Sequence, residues 1–116
     1  MSVRPLAKGS LKSFLDRFCG FVDAELRGIE VLTPTNITIT LYTQDKLRGY
    51  NWVELTLLFD SVSDARLLEA SKLGLVDMSE GITLCERGFA VGSYRCTNIE
   101  QSLCYIVAPN IKYSEI

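Results

Sequence analysis

The spacing of apolar residues changes near residue 23, and this change divides the chain into a helical part and a strand-rich part. After Ser10, apolar side chains recur every three or four residues, which is the pattern of an amphipathic helix with Ser10 as its N-cap. Gly20 lies near the end of the pattern and predicts that the helix ends there or soon after. The apolar stripe consists of Leu11, Phe14, Leu15, Phe18, Cys19 and Val22.

Alternating segments follow and predict antiparallel strands. Residues 24–32 form a strand with a bulge at Gly28, where the alternation slips, and Pro34 marks the turn to a partner strand at 37–41. The two strands should form a hairpin. Residues 52–59 alternate again and predict a third strand. Its apolar face consists of Val53, Leu55, Leu57 and Phe59.

Shorter apolar segments make up the second half of the chain and predict three or four more strands. Residues 64–73 are ambiguous, because they fit a short helix capped by Ser63 or a strand that follows a turn. We slightly favour a strand or an irregular segment at 65–68. The later strand segments are residues 82–86, 90–96, 102–108 and 111–116.

Together these elements predict an α+β fold, with an N-terminal amphipathic helix packed on a curled, mostly antiparallel sheet of about six or seven strands. The 116 residues fit a single domain, 1–116, in which residues 1–9 form a flexible arm. One short helix cannot cover the apolar face of so large a sheet. We therefore expect the sheet to curl on itself or to meet a second copy of the chain, which favours a homodimer.

Composition and charge narrow the classes of function. Hydrophobic residues make up 47% of the chain, which is enough for a core. The net charge is −2 and no basic run occurs, which disfavours nucleic acid as a partner. No secretory signal and no bilayer-length apolar segment is visible in the sequence. We therefore expect a cytoplasmic protein without a membrane partner.

The chain contains four cysteines, none of which lies in a C-x-x-C pair. Their neighbours are apolar, so we expect reduced thiols buried in the core. A zinc site is disfavoured, because structural zinc uses closely paired ligands and the chain has no histidine. One disulfide is the remaining alternative. The cysteines are Cys19, Cys85, Cys96 and Cys104.

The absence of histidine also bears on catalysis, because it removes the usual general base and the partner of a Ser or Cys nucleophile. No phosphate-binding glycine motif occurs either. We expect no enzyme activity, no cofactor and no metal. Asp23 and Glu25, beside Arg27, could act as an acid–base pair, but the preferred interpretation is a solvated charged strand in which a carboxylate pairs with Arg27.

Aromatic residues give a better functional signal. Tyr42, Tyr50 and Trp52 lie near the connection between two strongly predicted strands. Tyr, Trp and Arg concentrate binding energy in interfaces, and aromatic rings also line ligand pockets. We predict a site that engages a protein partner, with a small-ligand pocket lined by aromatic rings as the alternative. Trp52 could instead simply be packed in the core. The predicted site residues are Tyr42, Tyr50, Trp52, Asp23, Glu25 and Arg27.

The layout of several segments resembles that of small bacterial domains, namely the immunity proteins of toxin systems and proteins carried on mobile gene cassettes. The segments that carry the resemblance are residues 21–26 (FVDAEL), 37–41 (ITITL), 52–62 (WVELTLLFDSV) and 111–115 (IKYSE). The resemblance implies a bacterial accessory protein that works by binding another molecule.

Overall fold

The computed structural model describes residues 3–115, which form nine strands and one α-helix, joined by 3₁₀ turns. The strands are β1 (Val3–Pro5), β2 (Glu25–Thr33), β3 (Asn36–Asp45), β4 (Asn51–Asp60), β5 (Asp64–Arg66), β6 (Ile82–Cys85), β7 (Gly88–Val91), β8 (Tyr105–Val107) and β9 (Asn110–Glu115). The helix α1 is Leu11–Arg17, and the 3₁₀ turns are Lys8–Ser10, Cys19–Phe21, Lys46–Arg48, Ala70–Leu75 and Cys96–Gln101.

The strands form two antiparallel sheets, one of five strands in the order β1-β9-β4-β3-β2 and one of four in the order β5-β8-β7-β6. The predicted α+β class with antiparallel strands is confirmed, but the single curled sheet was wrong. The chain leaves the first sheet after β4, where Ser61 adopts a positive φ of 58°. β5 then pairs with the distant β8, so strands adjacent in sequence lie in different sheets.

The core lies between the two sheets. The predicted apolar face of β4 is confirmed, since Val53, Leu55, Leu57 and Phe59 are all buried. Phe59 meets Phe89 of β7, with ring centroids 5.6 Å apart. The four-stranded sheet therefore covers the apolar face that one helix could not cover. We predicted a homodimer because a second copy would cover this face. The structure shows that a second copy is not needed for that purpose.

The helix and the segment before it differ from the prediction. Residues 3–5, expected in a flexible arm, pair with β9 as strand β1, so the helix follows a strand; residues 1 and 2 lie outside the described range. α1 spans seven residues and ends before Gly20, whose φ of 65° turns the chain away. Val22 consequently leaves the apolar stripe and is exposed. Within residues 3–115, no helix is long and apolar enough to cross a membrane.

The predicted hairpin is confirmed, and so is its bulge. β2 pairs with β3, and the register shifts between Leu26 and Gly28. In the ambiguous region, a strand forms at Asp64–Arg66 and a 3₁₀ turn at Ala70–Leu75, so each alternative describes one part of it. A strand of three residues is too short to show whether its apolar residues follow the helical or the strand period. Periodicity therefore could not distinguish a helix from a strand in residues 64–73.

The outer face of the four-stranded sheet is covered by the 3₁₀ turn Cys96–Gln101. Ile99 of this turn is fully buried against Ala90 and Tyr105. A disulfide joins Cys85 at the end of β6 to Cys96 at the start of the turn. The expectation of four reduced thiols was therefore wrong for this pair, while Cys19 and Cys104 are free. Apolar neighbours in sequence could not reveal that the 3₁₀ turn after β7 brings Cys96 to Cys85.

We expect the disulfide to stabilise the fold by restricting the conformations of the unfolded chain. Its 11-residue separation predicts a loss of about 2 to 3 kcal/mol in the free energy of unfolding when the bond is reduced. Urea titrations with and without dithiothreitol measure this loss. The variant Cys85→Ala/Cys96→Ala is the control, because its midpoint should not respond to the reductant. Equal midpoints for the oxidised and reduced wild type would contradict the prediction.

Candidate binding surface on the five-stranded sheet

The five-stranded sheet has one buried face and one open face. Along β3 and β4 the side chains alternate between fully buried and partly exposed positions. The buried positions face the second sheet. The opposite face carries threonines together with aromatic and charged residues, and it is open to solvent.

Four residues on the open face form a continuous stack that we name the Arg27 ladder: Glu25, Arg27, Tyr42 and Trp52. The guanidinium of Arg27 donates to the carboxylate of Glu25 at 3.1 and 2.9 Å. The same guanidinium lies over the Tyr42 ring, 3.9 Å from its centroid. The rings of Tyr42 and Trp52 stack with centroids 5.2 Å apart and planes inclined by 26°. The ladder thus spans β2, β3 and β4.

Strand register explains why these residues meet. Glu25 lies opposite Tyr42, and Glu25 and Arg27 are two residues apart, so both reach the open face. Trp52 lies opposite Gln44, the next outward position of β3 after Tyr42. This diagonal relation brings the large rings together. The bulge after Leu26 then leaves Gly28 beside Thr40, without a side chain that would cover the stack.

Two predicted site residues lie outside the ladder. Asp23 precedes β2 with a φ of 59°, and its backbone N–H donates to the carbonyl of Met78 at 2.8 Å. Tyr50 lies in the β3–β4 connection with a φ of 64°, and its N–H donates to the carbonyl of Asp45 at 2.9 Å. Both are therefore turn residues, and Asp23 cannot form the strand pair with Glu25 that an acid–base site would need.

Trp52 is not a core residue, since 43% of its surface is exposed. Arg27 and Glu25 expose 46% and 59% of their side chains. The expected pairing of a carboxylate with Arg27 is confirmed, with Glu25 as the partner. A cation over an aromatic face and a stacked ring pair hold these side chains in place without burying them. The ladder side chains therefore support one another while remaining exposed to solvent.

A buried ionic cluster lies on the other side of the same sheet and was not selected from the sequence. Asp45, at the inward end of β3, is fully buried. It accepts two hydrogen bonds from Arg17 of α1, at 3.0 and 2.8 Å, and one from the backbone N–H of Leu47 at 3.0 Å. Arg17 also binds Glu115 of β9, and Arg48 lies 3.5 Å from Asp45.

This cluster ties the helix to both β3 and β9. The hydrogen bonds from Arg17, more than any other contact, hold the pKa of Asp45 below its ordinary value. The signal in the sequence was the strict alternation of β3, since Ile39, Leu41, Thr43 and Asp45 share one parity. Continuing the alternation past residue 41 would have placed a carboxylate on the buried face, which requires a cationic partner.

A groove of about 510 Å³ lies beside this cluster, between α1, the chain after β1 and the turn after β3. Phe14 and Tyr113 form its floor, with ring centroids 4.9 Å apart. Leu47 and Lys46 stand at its rim, and both are exposed. The predicted pocket lined by Trp52 therefore does not coincide with this groove, whose aromatic lining comes from the helix and β9.

Several other reactive groups are engaged or buried, although Cys19 is a free and partly exposed cysteine. Burial raises the pKa of the free thiol of Cys104 to about 11, so it is a poor nucleophile at neutral pH. Asp60 pairs with Lys112 at 3.0 Å, and Asp64 accepts a hydrogen bond from Tyr105 at 3.0 Å. Within residues 3–115, no group of three or more acidic or cysteine side chains is arranged to hold a metal ion.

Comparison with known proteins identifies no relative: no family model, no curated protein and no solved structure matches this chain. The geometry of the open face and of the groove is therefore the basis for assigning a function.

We expect Asp45→Asn to destabilise the fold by about 2 to 3 kcal/mol at pH 7, because it weakens charged hydrogen bonds in a buried site. The difference in the free energy of unfolding between variant and wild type should become smaller as the pH falls below the ordinary carboxyl pKa of 3.8. The pKa of Asp45 is lowered in the folded state, so this side chain stabilises the fold only while its carboxylate is charged. Urea titrations from pH 7 to pH 2.5 test both effects.

Glu25→Gln is the matched control, because it neutralises a carboxylate that also pairs with an arginine but is exposed. We expect it to change the free energy of unfolding by less than about 0.5 kcal/mol. An Asp45→Asn variant as stable as Glu25→Gln would contradict a stabilising role for the buried cluster.

Proposed function

We propose that this chain is a non-enzymatic binding module that engages a protein partner through the Arg27 ladder and also self-associates. The observation that carries the proposal is the stack of Arg27, Tyr42 and Trp52, ordered and exposed on the open face of the sheet. A bacterial accessory role of the defence or immunity type fits a small chain whose work is binding.

The flatness and order of the ladder favour a protein surface over a small molecule. Three adjacent strands are about 10 Å across, which suits the centre of a protein interface. Tyr, Trp and Arg are the residue types that dominate the energy of such centres. Because Arg27 already rests on Tyr42 and Tyr42 on Trp52, little side-chain freedom is lost on binding.

The charge around the ladder suggests the chemistry of the partner. Glu54 lies opposite Tyr42 on the open face, and within residues 3–115 no cationic side chain pairs with it. Glu25 adds a second carboxylate at the other end of the ladder. A partner that presents Lys or Arg beside an apolar or aromatic patch would complement both groups, and its binding should weaken as salt increases.

Removal of the ladder rings should abolish partner binding while the fold persists. We expect Trp52→Ala to lower affinity by at least tenfold, equivalent to about 1.4 kcal/mol, because truncation of a central aromatic anchor typically costs this much or more. Its free energy of unfolding should fall by less than about 1.5 kcal/mol, the value of one exposed ring pair. Quantitative co-purification from the native cells, followed by titration of the captured protein, measures the affinity.

Tyr50→Ala is the matched control, because Tyr50 is an exposed aromatic two residues from Trp52 but lies outside the ladder. It should retain the partner that Trp52→Ala loses. Equal retention of the same protein by wild type, Trp52→Ala and Arg27→Ala would show that the ladder is not the binding surface.

The groove beside α1 supports a second candidate function, the binding of a small amphipathic ligand. Its volume of about 510 Å³ lies within the range of ligand sites. Phe14, Tyr113 and Leu6 offer apolar area, while Lys46 at the rim offers a positive charge. An apolar or aromatic molecule with one anionic group would suit this combination.

The anionic dye 8-anilinonaphthalene-1-sulfonate is a suitable probe of the groove. We expect its fluorescence to rise with the native wild type, and Ser13→Trp to suppress the rise, because an exposed helix residue that lines the groove is replaced by a ring that fills it. Lys12→Trp is the control, since Lys12 is equally exposed on the helix but does not line the groove. No dye binding by the folded wild type would exclude this candidate.

A further inference from the structure

The four edges of the two sheets are unequal. β1, β5 and β6 are edge strands of three, three and four residues. β1 contains Pro5, and β5 carries Asp64 and Arg66. Short length, proline and charge are the devices that prevent an edge from pairing with another chain. The remaining edge, β2, has nine residues and contains no proline, but its register against β3 shifts twice, between Leu26 and Gly28 and between Val31 and Thr33.

Only the first part of β2 is covered. The 3₁₀ turn Ala70–Leu75 packs beside the start of β2, where Leu73 and Gly74 line a recess together with Leu26 and Arg27. Beyond it, residues 28–33 run free to the turn. Within residues 3–115, their backbone makes no hydrogen bond to any strand other than β3. A row of backbone donors and acceptors therefore faces solvent along this stretch.

The side chains of the free stretch are suited to a strand interface. The sequence of residues 28–33 is GIEVLT, with one charge and with neither lysine nor proline. Val31 and Leu32 expose 56% and 51% of their surfaces. β-branched and leucine side chains flanking an unpaired edge favour the addition of another strand.

We propose that residues 28–33 of β2 pair antiparallel with the same residues of a second copy of this chain. Identical strands can pair antiparallel about a two-fold axis, so the edge is complementary to itself. A pairing centred on Val31 places the two Val31 side chains opposite each other, next to the register shift between Val31 and Thr33. It avoids the opposition of two Glu30 carboxylates that a centre at Glu30 would create, and it stays clear of the turn beside Arg27.

This pairing joins two five-stranded sheets into one of ten strands. Because the two-fold axis is perpendicular to the sheet, both open faces point in the same direction. The two Arg27 ladders would then lie on the same face of the joined sheet, displaced along the strands to opposite sides of the two-fold axis. The edge pairing rests on the self-association in the proposed function and specifies how it occurs. It does not require that the ladder bind a protein. Its functional consequence is a two-site surface that gains affinity for a partner with two matching sites.

Sedimentation equilibrium combined with amide hydrogen exchange tests the edge. We expect the wild type to dimerise at tens of micromolar and Val31→Lys to raise the dimer dissociation constant at least tenfold, because it places two charges opposite each other at the centre. Leu103→Lys is the control, since Leu103 is 73% exposed and lies outside β2, and it should dimerise like the wild type.

Hydrogen exchange makes the test independent of any variant. In the wild type, the amides of residues 28–33 should exchange more slowly as protein concentration rises, while those of β1 do not change. A wild type that stays monomeric at several hundred micromolar overturns both the edge pairing and self-association. A dimer with unchanged exchange at residues 28–33 and normal association of Val31→Lys overturns the edge pairing alone. If Trp52→Ala still dimerises but no longer binds the protein partner, then self-association and partner binding use different surfaces, the β2 edge and the Arg27 ladder.

Discussion

The packing of the four-stranded sheet against one face of the five-stranded sheet is the interaction on which the rest of the molecule depends. Phe59 and Phe89 meet at its centre, surrounded by the aliphatic side chains of β3 and β4. This contact removes most of the apolar surface of the strands from water, which is the dominant favourable contribution to folding. It also determines which face of the larger sheet remains open, and hence where the Arg27 ladder is exposed.

One strand, β3, contributes to both candidate sites because its side chains alternate. Tyr42 points to the open face and contributes the middle ring of the ladder, whereas Asp45 points inward and anchors α1 through Arg17. The helix that this ion pair holds in place forms one wall of the groove. A slip of one residue in the register of β3 would exchange the two faces and destroy the ladder, the ionic cluster and the groove together.

Much of the candidate site could be predicted from residue types and strand parity. Glu25, Arg27, Tyr42 and Trp52 were selected from the sequence, and the register of three neighbouring strands brings them together. Asp23 and Tyr50 were selected with them but adopt positive φ values in turns, and short-range patterns do not reveal that conformation. The inward position of Asp45 was readable from alternation, but its partners Arg17 and Glu115 are distant in sequence. The Cys85–Cys96 disulfide was missed because apolar neighbours indicate burial and carry no information about which cysteines meet.

The sequence by itself determined the local elements: an amphipathic helix after Ser10, a bulged hairpin, and a strand with one wholly apolar face. Each depends on interactions between residues close in the chain, for which periodicity and turn chemistry are sufficient. Only the tertiary structure decided that the strands form two sheets and that the apolar face is covered from within the same chain. It alone also showed that β2 is left as the long free edge. These outcomes depend on pairings such as β1 with β9 and β5 with β8, in which the partners are far apart in sequence and are selected by the packing of the whole chain.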